Sequence, residues 1–239
     1  VEQFLILLLA GFLAAVLSGT AGFGGALLLL PVLVHVLGPL AAVPVLTLAQ
    51  LFGNGSRVWF NRHNLQWRPI GYFLFSAVPL SVAGSFLFTQ ARSEFVQASI
   101  GLFLILMVGY RRFKKTSASS RHTHLLLGGA LTGFLSGLAG SAGPLGAAFF
   151  LSLSLSPTAY LGSEAFTAMI MHLTKSVVYS KYALIGTKEL LTELVVGIGM
   201  IAGSYAGKKI AEKLPHRTFV LIVEFLLVLS GLQLLWSAR

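Results

Sequence analysis

Residues 70–90, IGYFLFSAVPLSVAGSFLFTQ, are one apolar run, and about 20 such residues are what an α-helix needs to cross a bilayer. Residues 42–60, 95–113, 158–180, 189–207 and 218–236 are runs of the same kind. A segment placed in hydrocarbon must close its backbone hydrogen bonds internally, and a helix does so within one segment. Composition agrees: of 239 residues, 56% are hydrophobic and 10% charged, against about 25% charged in a soluble domain. The expected fold is an all-α polytopic membrane protein. The chain opens VEQ, with no basic n-region, so its first apolar run is expected to be a membrane segment rather than a cleavable signal. Cysteine is absent, which excludes disulfides, thiol catalysis and thiolate metal sites. No cofactor and no metal is implied. The formal net charge of +10 reads as basic residues at the cytoplasmic ends of membrane helices rather than as a nucleic-acid surface.

Two glycine-rich stretches interrupt this pattern. Residues 17–25 read LSGTAGFGG and residues 138–146 read LAGSAGPLG. The apolar runs around them, 4–18 with 24–37 and 125–138 with 145–156, are short. Runs of about 10–14 residues read as re-entrant segments. Each pair is therefore either a hairpin of two half-helices or one helix unwound in the middle.

The stretches align in register, Thr20 with Ser141 and Gly22 with Gly143. At a slightly different offset, Pro39 aligns with Pro157, Asn54 with His172, and Arg57 with Lys175. The chain divides into repeat one (1–113), a basic linker (114–124) and repeat two (125–239), forming a single transmembrane domain. Each repeat holds a glycine-broken helix or re-entrant hairpin plus three spanning helices. With hairpins, eleven Lys/Arg share one side (Arg62, Arg68, Arg111, Arg112, Lys114, Lys115, Arg121, Lys208, Lys209, Lys213, Arg217) and four the other (Arg92, Lys181, Lys188, Arg239). With one crossing per pair the split is ten against five. The hairpin version inverts repeat two relative to repeat one and puts segment 111–124 in the cytoplasm.

Polar side chains within apolar helices are costly and mark function. Gln50, Asn54 and Arg57 are spaced i, i+4, i+7 and share one helix face. His172 and Lys175 occupy the aligned positions in repeat two, and Glu164 extends that stripe. Arg57 and Lys175 are alternatively snorkelling residues, and His172 a core histidine. A helix beginning after a glycine break points unpaired N–H groups and a positive dipole end at the break, which suits an anion. The expected substrate site is Thr20, Gly22, Gln50, Asn54, Arg57, Ser141, Gly143, His172 and Lys175. His172 or Glu224 is the expected proton-coupling group.

The pattern LSGTAGFGGALLLLPVL, followed by a proline turn and a polar helix and repeated in the second half, resembles the TauE/SafE family of sulfite and organosulfonate exporters. The resemblance covers nearly the whole chain. It implies a secondary transporter of the bacterial cytoplasmic membrane that exports a small anion, such as sulfite, sulfoacetate or a related sulfonate, by alternating access. Pro144 departs from the glycine-rich pattern and removes one backbone donor from the second break. An anion channel is the nearer alternative; an intramembrane serine hydrolase pairing Ser141 with His172 is the more distant one. The expected partners are a small anion and the lipid bilayer, with no nucleic acid and a homo-oligomer left open.

Overall fold

Apolar segments in this chain become helices because no other single segment satisfies its own backbone. The computed structural model describes residues 2–37, 39–87, 105, 121–139, 141–180 and 187–237, and among them there are nine α-helices and no strand. They are α1 (Glu2–Ala21), α2 (Gly25–Leu37), α3 (Pro39–Asn61), α4 (Trp67–Leu87), α5 (Arg121–Ala139), α6 (Gly143–Leu151), α7 (Pro157–Ser180), α8 (Thr187–Lys213) and α9 (His216–Ser237), with one 3-10 turn at Arg62–Asn64. Most of the run expected at 95–113 and most of the basic segment 111–124 lie outside the described residues. Pro39 and Pro157 open α3 and α7, where a missing N–H costs nothing and a fixed φ suits the first turn.

Three helices among the described residues are long and apolar enough to cross a membrane: Gln3–Ala21, Trp67–Leu87 and His216–Gln233. The first corrects the expectation of equal short halves. α1 does not stop at residue 18 but runs to Ala21, a length of about 30 Å at 1.5 Å per residue. Ser18 and Thr20 hydroxyls donate back to the carbonyls of Ala15 and Val16, so the helix absorbs them. α2, with 13 residues, reaches only about 20 Å. It turns back along α1: a Cβ built on Gly25 would stand 3.1 Å from the Ala14 carbonyl oxygen. α6 is shorter still, nine residues. It ends at Leu151 rather than 156, because the Ser152 hydroxyl donates to Phe149 O and Ser154 adopts φ +54. It too folds back, placing Phe149 against His124 near the start of α5.

Two glycine ladders join the bundle. Gly199, Gly203 and Gly207 of α8 abut the carbonyl oxygens of Leu8, Phe12 and Val16 of α1. Gly129, Gly133 and Gly137 of α5 abut those of Phe73, Ala77 and Ser81 of α4. Residue numbers rise together in both ladders, so α1 and α8 run parallel, and so do α4 and α5. A side chain at any of these positions would push the backbones apart, the role small residues play where helices pack in lipid. α3 and α7 cross at the centre in opposite directions: Gly55 lies near Met169, and Asn61 near Gly162.

The two short helices sit inside the two cores. Leu29 and Leu33 of α2 pack with Leu7, Val45, Ala49 and Met200. On α6, residues from Pro144 to Leu151 are all buried, with Phe149 and Phe150 packed among Phe73, Tyr160 and Phe219. The outer surface is the reverse of a soluble protein's: Phe75 and Trp236 are 80% and 78% exposed, as lipid-facing groups are. Arg62 and Lys208 mark one end of the bundle, where Lys208 Nζ donates to Phe60 O.

Candidate functional site

The chain between α1 and α2 turns on two glycines. Gly22 and Gly24 have φ of +92° and +96°, a region that side chains bearing a Cβ rarely adopt. Gly22 also lies under an aromatic ring: a Cβ there would stand 2.6 Å from Tyr160 Cε1. The Tyr160 hydroxyl donates to Ala21 O at 2.9 Å, tying the end of α1 to α7. α2 then begins at Gly25. Across from it α6 begins at Gly143, after Ala142, with Pro144 in its first turn. The first N–H groups of both helices have no helical acceptor.

Those two helix starts share one cavity. Ser18, Gly22, Phe23, Gly24, Gly25 and Ala26 line it from the first break, and Ser141, Gly143 and Pro144 from the second. Gln50, Asn54 and Arg57 of α3 and Glu164, Ala168 and His172 of α7 complete the wall. Its volume is about 30 Å³, room for little more than a water-sized group.

Arg57 organises this wall. Its side chain is buried, and its Nη1 donates to Ser18 O at 3.0 Å and Gly22 O at 2.6 Å. Ser18 O also accepts from the Gly22 N–H at 2.8 Å, so Arg57 caps a carbonyl already bonded within the last turn of α1. Nη2 donates to Asn54 Oδ1 and, at 3.0 Å, to Glu164 Oε2. The cation thus holds the first break, α3 and α7 together, an unusual load that the planar five-donor guanidinium suits and an ammonium would not. Arg57 Nε, Asn54 Nδ2, Gln50 Nε2 and His172 Nδ1 are buried with no hydrogen-bond partner among the described residues. Three of these four are N–H donors at the cavity. A buried donor left unpaired costs about 1–3 kcal/mol, a cost that an acceptor in the cavity would relieve.

Of the residues expected from sequence, Gly22, Gln50, Asn54, Arg57, Ser141, Gly143 and His172 line this cavity. Thr20 does not: its hydroxyl donates to Val16 O at 2.8 Å and to Gly207 O at 3.4 Å, toward α8. Lys175 does not either. It is fully buried, and its Nζ donates to Ser136 Oγ of α5 at 3.1 Å. Its alignment with Arg57 does not carry over to position, because the lysine reaches α5 while the arginine reaches the end of α1. Glu224 is buried on α9, outside the lining. Glu164 is the residue whose part sequence reasoning missed. It aligns with Leu46, so the repeat gave it no counterpart, although an acid in an apolar run opposite a buried arginine was the available signal.

The chain matches the family described as Sulfite exporter TauE/SafE over residues 7–234. No curated protein and no solved structure gives a significant match.

Proposed function

The chain belongs to the TauE/SafE sulfite exporter family, and from that premise we propose that it carries a small sulfur-containing or organic anion out of the cell, held in the cavity between the two helix starts. The observation that carries this reading is the set of buried N–H groups on Gln50, Asn54 and Arg57, unpaired and facing one cavity. Oxyanions of the sulfite and sulfonate class supply several acceptor lone pairs at once and meet two helix N-termini with favourable dipoles. The substrate contacts proposed are Gln50, Asn54, Arg57, His172, Ser141 and the backbone at Gly22 and Gly143.

Alternating access is the proposed mechanism, with repeat one rocking against an inverted repeat two. The glycine ladders support it. Each joins the first helix of one half to the fourth helix of the other, α1 with α8 and α5 with α4. Positions 129, 133 and 137 align with 8, 12 and 16, so the glycines have moved to the opposite partner while the register stays the same. α3 and α7 run oppositely at the centre, as inverted counterparts must. A cavity of about 30 Å³ admits a water-sized group, so the two helix starts must move apart for the anion to enter, as a rocking carrier requires. The basic end bearing Arg62, Lys208, Lys209 and Lys213 is proposed as the cytoplasmic side of a bacterial inner membrane.

Efflux of radiolabelled sulfite from liposomes holding the purified chain tests the site. Gln50→Ala and Asn54→Ala are each expected to lower apparent affinity about tenfold, the value of one hydrogen bond to a charged group. Wild-type saturation in both variants would remove the cavity from the transport path, and very high non-saturating flux would favour a channel.

A further inference from the structure

Arg57 is the cation at the cavity, and a carboxylate of the chain already engages it. Glu164 Oε2 lies 3.0 Å from Arg57 Nη2, with both side chains at most 4% exposed. The other carboxylate oxygen faces the first turn of α6, where a Cβ built on Gly146 would stand 3.9 Å from Glu164 Oε1. Glu164 therefore already occupies the partner a bound oxyanion would seek, the Arg57 guanidinium.

We infer that Glu164 is an internal competitor for the substrate anion, and that it takes up a proton when the anion replaces it at Arg57. The inference rests on the exporter reading and names the group that couples anion to proton at that site. With Glu164 ionised, the Arg57–Glu164 pair sums to zero charge. An arriving monovalent anion would leave two negative groups sharing one buried cation, which a low-dielectric site does not sustain. One proton restores the balance: carboxylate plus proton plus anion becomes carboxylic acid plus bound anion. Only an O–H bond forms, and Arg57 exchanges one negative partner for another.

Among the described residues, Arg57 is the cation that hydrogen-bonds Glu164. On its own helix, Tyr160 is engaged with Ala21 O, His172 lies two turns on, and Lys175 reaches Ser136. α6 brings no titratable side chain. His124 of α5 meets Ser152 beyond the far end of α6, and Arg68 and Tyr72 of α4 are exposed near its start. The loaded carrier then moves a monovalent anion and a proton as a neutral pair, and the two gradients set the direction of net flux.

Calorimetry on the purified chain in nanodiscs, run in two buffers of different ionisation heat with methanesulfonate as the probe, reads protons taken up per anion bound. The wild type is expected to take up about one proton per methanesulfonate. Glu164→Gln is expected to bind about tenfold more tightly, its charged competitor gone, with no proton uptake. Glu164→Asp keeps the carboxylate and is expected to retain uptake, which serves if the glutamine variant does not fold. Uptake that persists in Glu164→Gln, or is absent from Glu164→Asp, overturns the inference. Wild-type binding of methanesulfonate and efflux of sulfite without proton uptake overturns it while leaving the exporter reading intact. A wild-type chain that neither binds methanesulfonate nor moves sulfite removes both.

Discussion

Gly22→Ala is expected to destabilise the chain by about 2–5 kcal/mol, the sum of two local costs. The backbone at residue 22 has φ +92°, and placing a Cβ in left-handed backbone costs about 1–2 kcal/mol. The same Cβ would stand 2.6 Å from Tyr160 Cε1 and 2.7 Å from the Tyr160 hydroxyl oxygen. That is roughly an ångström inside normal contact distance. Tyr160 has little room to yield. It is 1% exposed, sits edge-on to Phe219 with ring centroids 5.6 Å apart, and donates to Ala21 O. Moving it adds an overpacking cost of about 1–3 kcal/mol. Thermal unfolding of the purified protein in nanodiscs should show a midpoint roughly 5–15 °C lower. In a Tyr160→Ala background the same glycine substitution should cost only the backbone part, about 1–2 kcal/mol. Sulfite efflux should fall as well, because Gly22 O accepts from Arg57 Nη1 at 2.6 Å and any shift of the turn moves the guanidinium. A Gly22→Ala protein that melts within roughly 1 °C of wild type refutes both the turn geometry and the placement of Tyr160 over it.

Arg57→Ala is expected to abolish sulfite efflux and to cost about 3–5 kcal/mol, since it leaves Glu164 buried without its cation. Adding Glu164→Gln should return most of that stability and none of the flux, which melting and liposome efflux read together. Thr20→Val should transport like wild type and lose at most about 1 kcal/mol, because its hydroxyl serves helix carbonyls rather than the cavity. Gly133→Leu should cost about 3 kcal/mol or more by forcing α5 off the Ala77 carbonyl of α4. Gly71→Ala, with no atom near its would-be Cβ inside α4, serves as the control and should raise stability by about 0.4–1 kcal/mol.

Much of the site was legible because of what polar side chains cost in an apolar helix. Gln50, Asn54 and Arg57 share one face of α3 by their spacing, and that face lines the cavity. The glycine stretches were legible for a similar reason: four glycines among nine residues in the first, and three with a proline in the second, do not favour a continuous helix. Hydroxyls were less informative. Thr20 sits in the break by sequence, yet a threonine can donate to the carbonyl four residues earlier and remain helical, and Thr20 does. Aligned charge was misleading. Arg57 and Lys175 match in register, but Arg57 reaches the end of α1 and Glu164 of α7 while Lys175 reaches Ser136 of α5.

Apolar run length and polar periodicity by themselves determined that the chain is helical and membrane-bound, that it is interrupted at two glycine stretches, and that α3 presents a polar stripe. These follow from local physics, since a helix closes its own hydrogen bonds and its period sets its faces. Only the tertiary structure decided which charges meet. Glu164 stands 107 residues from Arg57, with no repeat counterpart to announce it, and a buried pair at 3.0 Å depends on where α3 and α7 cross. It likewise decided that α1 runs through Thr20 to Ala21, where the Tyr160 hydroxyl meets it, while α2 and α6 are only 13 and nine residues long.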